Sequence, residues 1–149
     1  MRPRYCCVIL HCPERGYLLE QRPIEPHHLG SLTCFGGGRE EDESEEACGR
    51  RELDEELGWS VGPLSRRFEL WKGSEWIATF FDAQPPCDSV PLRAEAGHAA
   101  VWIQPQHLAT ADVSVWHRAV LDAHIALSSE NVAGGDVGSR EVVKIVLDP

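Results

Sequence analysis

The sequence predicts an α/β or α+β domain on three observations. Short β-branched, apolar segments recur along the chain. Two longer segments carry helical periodicity instead. The length, 149 residues, suits one domain with a real core. Helices interspersed among mostly short strands leave those two layer classes open.

The elements follow in chain order. "RYCCVILH" reads as a strand, Pro13–Gly16 as a turn, and Tyr17–Arg22 as a second strand, so a hairpin is expected. "PIEPHHLGS" is a loop that leads to a short strand at Leu32–Phe35. Residues 36–43 are a loop of glycines and then acids, before a helix over Ser44–Leu57 that Gly58 stops. Strands near Arg67–Lys72 and Trp76–Asp82 flank a turn at Gly73–Ser74, and Ala83–His98 is a proline-rich exposed loop. "AAVWIQ" is a short strand. "SVWHRAVLDAHIALSS" is a second helix with Val115, Ala119, Val120, Ala123 and Leu127 on its apolar face. "ENVAGGDVGSR" breaks the pattern, and "EVVKIVLD" closes the chain as a strand-like segment.

The net charge is −10, and it is concentrated. Arg39–Glu56 holds ten acidic and three basic residues, a net −7, which leaves −3 for the rest. A nucleic-acid polymer needs a basic face to neutralise its phosphates, and no such block exists here. Clustered carboxylates suit hard cations, which prefer oxygen ligands. No apolar run approaches the roughly 18 residues of a membrane helix, so no membrane partner is expected. "YCCVIL" is too short for a signal sequence, and the expected compartment is the cytoplasm. The six cysteines (6, 7, 12, 34, 48 and 87) form no C-x-x-C pair, and the expectation is reduced packing thiols. A zinc site from Cys6, Cys7, His11 and Cys12 is set aside, because adjacent residues of a strand point to opposite faces.

The helix over 44–57 carries the chemistry. At about 100° per residue, Glu52, Glu55 and Glu56 share one face, with Leu53 and Leu57 on another. Like charges at i, i+3 and i+4 repel by a few tenths of a kcal/mol per pair, so a positive partner is called for. Arg51 or a divalent cation would supply it. The glycines at 36–38 let an anion approach closely, and their carbonyls can ligate a metal.

The joint spacing is specific. Gly37, five residues, Glu43, seven residues, then "RELDEELGW" resembles the Nudix box, G-x5-E-x7-R-E-U-x-E-E-x-G-U, with U a bulky aliphatic residue. Every fixed position matches, and Trp59 stands in the last U slot. "LLEQRP…HLGSLTCFGGG" upstream and "VWI" downstream are similar to the family pattern, with Phe35 where the family usually has proline.

The resemblance implies an α/β/α sandwich, a mixed β-sheet between helices. It implies a domain over 1–129, with 130–149 an extension that belongs to the same domain or makes a dimer contact. The implied reaction is water attack at phosphorus in a nucleoside diphosphate linked to another moiety, with Mg²⁺ or Mn²⁺. The implied substrate is a small-molecule nucleotide. Glu52, Glu55 and Glu56 would carry the metals with the Gly36 carbonyl. Arg51 would orient Glu52, and Glu43 would support the loop. Glu95 in "RAEAGH" is the loop candidate for metal ligand or general base, beside a glutamate of the box, with His98 competing. Arg22, Gly37 and Gly38 are the substrate-binding candidates. His27 and His28 lie where a base or sugar could sit, and Trp76 either stacks a base or packs a hairpin. The alternative function is a nucleotide-binding module without turnover. "EVVKIVLD" either folds back or pairs with a second copy in a homodimer.

Overall fold

Tyr5–Cys12 forms β1, the strand around which the sheet is organised. The computed structural model describes residues 1–25, 28–29, 31–88, 98–134 and 141–149, with the backbone alone at 24–25, 28–29 and 130–134. β1 turns through 13–15 into β2, Gly16–Gln21, with antiparallel register Leu10↔Leu18. After the small β3 (Ile24–Glu25) and β4 (His28–Leu29) pair come β5 (Leu32–Thr33) and β6 (Phe35–Gly38).

The glycines were expected in a loop, and the structure corrects this. Phe35–Gly38 pairs antiparallel with the first half of β1, Cys7 opposite Gly36 and Cys6 opposite Gly37. The strand has almost no side chains of its own and is held by its partner's backbone.

Next comes α1, Glu45–Leu57. Ser44 Oγ accepts from Ala47 N at 3.1 Å, a side-chain N-cap. Gly58 ends the helix at φ 68°, its N–H donating to Asp54 O at 2.9 Å. A hairpin follows, β7 (Ser65–Lys72) and β8 (Glu75–Ala83), then β9 (Ala99–Ile103). A short α2, Pro105–Leu108, which the sequence reading lacked, precedes α3, Val115–Gly134, and β10, Val143–Leu147. α3 runs past the break expected at 130, so the boundary drawn at 129/130 falls inside a helix.

The main sheet is mixed, in the order β10-β7-β8-β1-β2-β5, with β6 on β1 and β9 on β2. β8 runs parallel to β1 and β10 parallel to β7; the other pairings are antiparallel. β10 is thus a strand of this chain's own sheet.

Alternation along β1 sends side chains to two cores. Val8 and Leu10 join Leu18, Phe35 and Phe81 under α1. Cys7 and Ile9 join Tyr17, Leu19, Phe68 and Phe80 under α3. The molecule is an α/β/α sandwich. Leu53 and Leu57 are each about 1% exposed. Two such leucines contribute about 3–6 kcal/mol, which exceeds the tenths per like-charge pair on the other face. The helix can therefore hold an acidic stripe.

The apolar face expected for α3 holds at Val120, Ala123 and Leu127, which pack on the core, and fails at Val115. Val115 is 76% exposed, while Val120, Leu121 and His124 are buried. Histidines occupy core-facing positions here, which an apolar count misses. Tyr17 Oη lies 2.5 Å from His124 Nδ1, and His124 Nε2 lies 3.2 Å from Asp82 Oδ2, so the buried polar groups satisfy one another.

Two of the six thiols are not reduced. Cys12 is disulfide-bonded to Cys87, against the expectation for all six. Cys6, Cys7, Cys34 and Cys48 are free and buried. The bond removes the support that thiol usage lent to a reducing compartment. Among the described residues no helix is long and apolar enough to cross a membrane.

Candidate active site

β6 and α1 make the site between them. Gly37 packs against the Glu52 carboxylate so closely that a Cβ there would lie 2.6 Å from Glu52 Cδ. Gly36, at φ 149°, faces backbone instead; a Cβ would stand 2.6 Å from Cys7 Cα. The two glycines therefore serve different ends. One admits a carboxylate, and the other lets β6 lie on β1.

Arg51 is the hub of the acidic side chains. Its Nε and Nη2 donate to Glu43 Oε2 and Oε1 at 2.7 and 3.0 Å. Nη1 donates to Glu52 Oε1 at 3.1 Å and to Glu55 Oε2 at 3.2 Å, and Nη2 to Gly38 O at 3.1 Å. The Arg51 hydrogen bonds hold the Glu43 carboxyl down to about 2. Glu45 pairs instead with Arg66 and accepts from Thr79 Oγ1.

The three box glutamates have different surroundings. Glu55 leans on Arg51 with 53% of its side chain exposed; Glu52 has 13%. Glu56 is turned inward, and its Oε2 is buried without a hydrogen-bond partner. Burial pushes its pKa well up, followed by the charges of Glu20 and Glu52, while the Gly36 N–H acts the other way.

Glu20 is the residue the sequence reading missed. It is 6% exposed in β2 and adds a further carboxylate against Glu56. Its Oε2 lies 3.5 Å from His98 Nδ1 and its Oε1 3.6 Å from Arg22 Nε. The available signal was an acid directly after the apolar run "YLL" in a strand.

Arg22 follows β2 and reaches a cavity of about 260 Å³ whose walls include Gly36, Gly37, Phe80, Trp116 and His117. Its Nε is buried without a hydrogen-bond partner. Trp76 stacks on Trp71 across the hairpin, 5.7 Å between ring centroids. Glu95 and His27 lie outside the described residues, and the side chain of His28 does too. Among the described residues, no three His, Cys, Asp or Glu side chains are grouped as a ready-made cation site. Arg51 donates to Glu43, Glu52 and Glu55, and the Gly36 N–H to Glu56.

A family model of the NUDIX domain matches residues 1–124. Solved structures share the fold. The E. coli ORF135 protein is 26% identical, with a TM-score of 0.64 over 87% of this chain and 92% of that one. A Nudix hydrolase family member from Chromobacterium violaceum is 16% identical, with a TM-score of 0.68 over 94% and 84%. The MutT protein of Methanosarcina mazei Go1 is 17% identical, with a TM-score of 0.65 over 83% and 93%. No curated protein matches this chain. With the family model spanning residues 1–124, most of its length, the chain belongs to the NUDIX domain family.

Proposed function

We propose that this Nudix hydrolase cleaves the diphosphate linkage of a nucleoside diphosphate joined to another group, by water attack at phosphorus, with Mg²⁺ or Mn²⁺. The observation that carries the reading is Glu56. A buried carboxylate oxygen without a partner, beside Glu52 and Glu20, is costly to keep ionised unless a cation joins it. The donor set is all oxygen, as hard divalent cations require.

Glu52, Glu55 and Glu56 would hold the metal with the Gly36 carbonyl, and Glu95 would join them as ligand or base. When bound, a divalent cation neutralises phosphate charge and lowers the pKa of its water. The chain's own residues do the rest. Arg51 fixes the Glu52 carboxylate from one side, and Gly37 leaves it room on the other. Arg22 offers a guanidinium to the phosphates at the edge of the cavity. Gly37 and Gly38 let the diphosphate approach the backbone. Glu52 or Glu95 takes the proton of the attacking water.

The test is a panel of nucleotide sugars, dinucleoside polyphosphates, ADP-ribose and nucleoside triphosphates, with Mg²⁺ or with EDTA. Metal-dependent release of a nucleoside monophosphate is expected from at least one. Binding without turnover across the panel would instead establish the nucleotide-binding module, and full turnover by a Glu52→Gln, Glu56→Gln double variant would remove the site.

A further inference from the structure

The cavity beside the glycine strand holds an imidazole whose tautomer the backbone fixes. Cys34 N donates to His117 Nδ1 at 3.1 Å. A backbone N–H only donates, so Nδ1 is the lone-pair nitrogen and the neutral ring carries its hydrogen on Nε2. Among the described residues, nothing accepts from Nε2. The ring lines the cavity, and Phe80 meets it edge-on at 5.4 Å, which holds its plane. Burial, and then the Arg22 cation, lower its pKa to about 4, so the ring stays neutral near pH 7.

The Arg22 guanidinium and the Trp116 indole N–H add donors, and the rest of the wall is apolar or indifferent. Phe80 and Trp116 give aromatic surface, and Ser31 and Ser114 have hydroxyls that donate or accept alike. At about 260 Å³ the cavity is at the small end for ligand pockets, suited to one flat heterocycle. Arg22, Gly36 and Gly37 lie on its rim toward the carboxylates. A nucleotide with its phosphates there would place its base against His117.

We propose that His117 is a specificity-determining residue: its Nε2–H selects nucleotides whose base turns a carbonyl oxygen to this wall over those that turn an amino group. This deepens the hydrolase reading and rests on it for the position of the phosphates. A neutral donor facing an amino group leaves two donors unpaired in a partly buried site. An unpaired donor in a partly buried site costs about 1–3 kcal/mol, on the order of tenfold to a hundredfold.

Two readouts test this. The first is kcat/KM for GTP against ATP and for UTP against CTP, pairs that differ in an oxo or amino group, in the wild type and in His117→Leu and His117→Gln. The wild type should favour the oxo member of each pair by about tenfold or more. His117→Leu should flatten that preference, mainly by raising KM for the oxo substrates. His117→Gln keeps an acceptor for Cys34 N and a donor for the base, and should retain part of it. The second is the ¹⁵N imidazole spectrum of the metal-free wild type titrated with GMP and AMP. It should show the Nε2–H tautomer and a larger shift with GMP.

Equal rates on both members of each pair in the wild type would overturn the proposal. So would an equal loss on both in His117→Leu, which marks a merely structural ring. If His117→Leu does not fold, the wild-type preference and the titration decide. Turnover without base preference removes this proposal and leaves the hydrolase reading. A GMP-selective shift of His117 without any turnover does the reverse.

Discussion

Arg51 grips Glu43 through two parallel hydrogen bonds, Nε to Oε2 at 2.7 Å and Nη2 to Oε1 at 3.0 Å. The same guanidinium holds Glu52 and the Gly38 carbonyl, so one side chain ties the loop before α1 to the carboxylate face. Lysine carries the charge without the fork. Arg51→Lys should keep the fold but lower kcat at least tenfold, with a smaller change in KM, as steady-state kinetics would show. Wild-type kcat in that variant would mean the fork positions nothing.

Glu56 is half-buried, with its Oε2 fully enclosed, and is electrostatically opposed by Glu20 and Glu52. Its folded pKa is raised, so the native state binds the proton more tightly than the unfolded chain. In EDTA, stability from this group is full below the usual carboxylate pKa and is lost as pH rises through the folded value. Thermal melts in EDTA at pH 7 should therefore find Glu56→Gln at least as stable as wild type. Adding Mg²⁺ should raise the wild-type Tm and leave the variant nearly unmoved, while turnover in the variant falls a hundredfold or more.

Adjacent glycines should respond differently to the same methyl. In Gly37→Ala the new Cβ meets the end of the Glu52 side chain, which can turn aside. Folding should survive, and kcat should fall. In Gly36→Ala it meets the backbone of Cys6 and Cys7 at a φ of 149°, with nothing able to move. Loss of soluble folded protein is expected there. Circular dichroism melts of both, with kinetics on Gly37→Ala, make the comparison.

The Cys12–Cys87 bond spans 75 residues of sequence, a long loop by the entropy argument. Reduction, or Cys87→Ser, should cost about 2–4 kcal/mol in denaturant unfolding. Thiol titration of the unreduced, denatured protein should find four free thiols, and finding six would show that the bond does not form.

How much of this was legible in advance differs from residue to residue. The sequence by itself determined the box and most of the elements, and left two layer classes open. Ser44 and Gly58 bound α1 because capping is local chemistry, and its carboxylate and leucine faces follow from helix geometry alone. The same local reasoning found each strand from β7 to β9, and β10. Tertiary structure decided what each face meets. Gly36–Gly38 became a strand because β1 offered it a backbone partner 29 or more residues away in sequence. Glu20 joined the box carboxylates because β2 pairs with β1 in the sheet that α1 covers, and Cys12 found Cys87 because parallel β8 delivers the chain to the end of β1. His117 and His124 turn toward the sheet because hydrogen bonds with Cys34 for the one, and with Tyr17 and Asp82 for the other, satisfy them. Those pairings depend on long-range contacts, and periodicity within a segment carries no information about its partner.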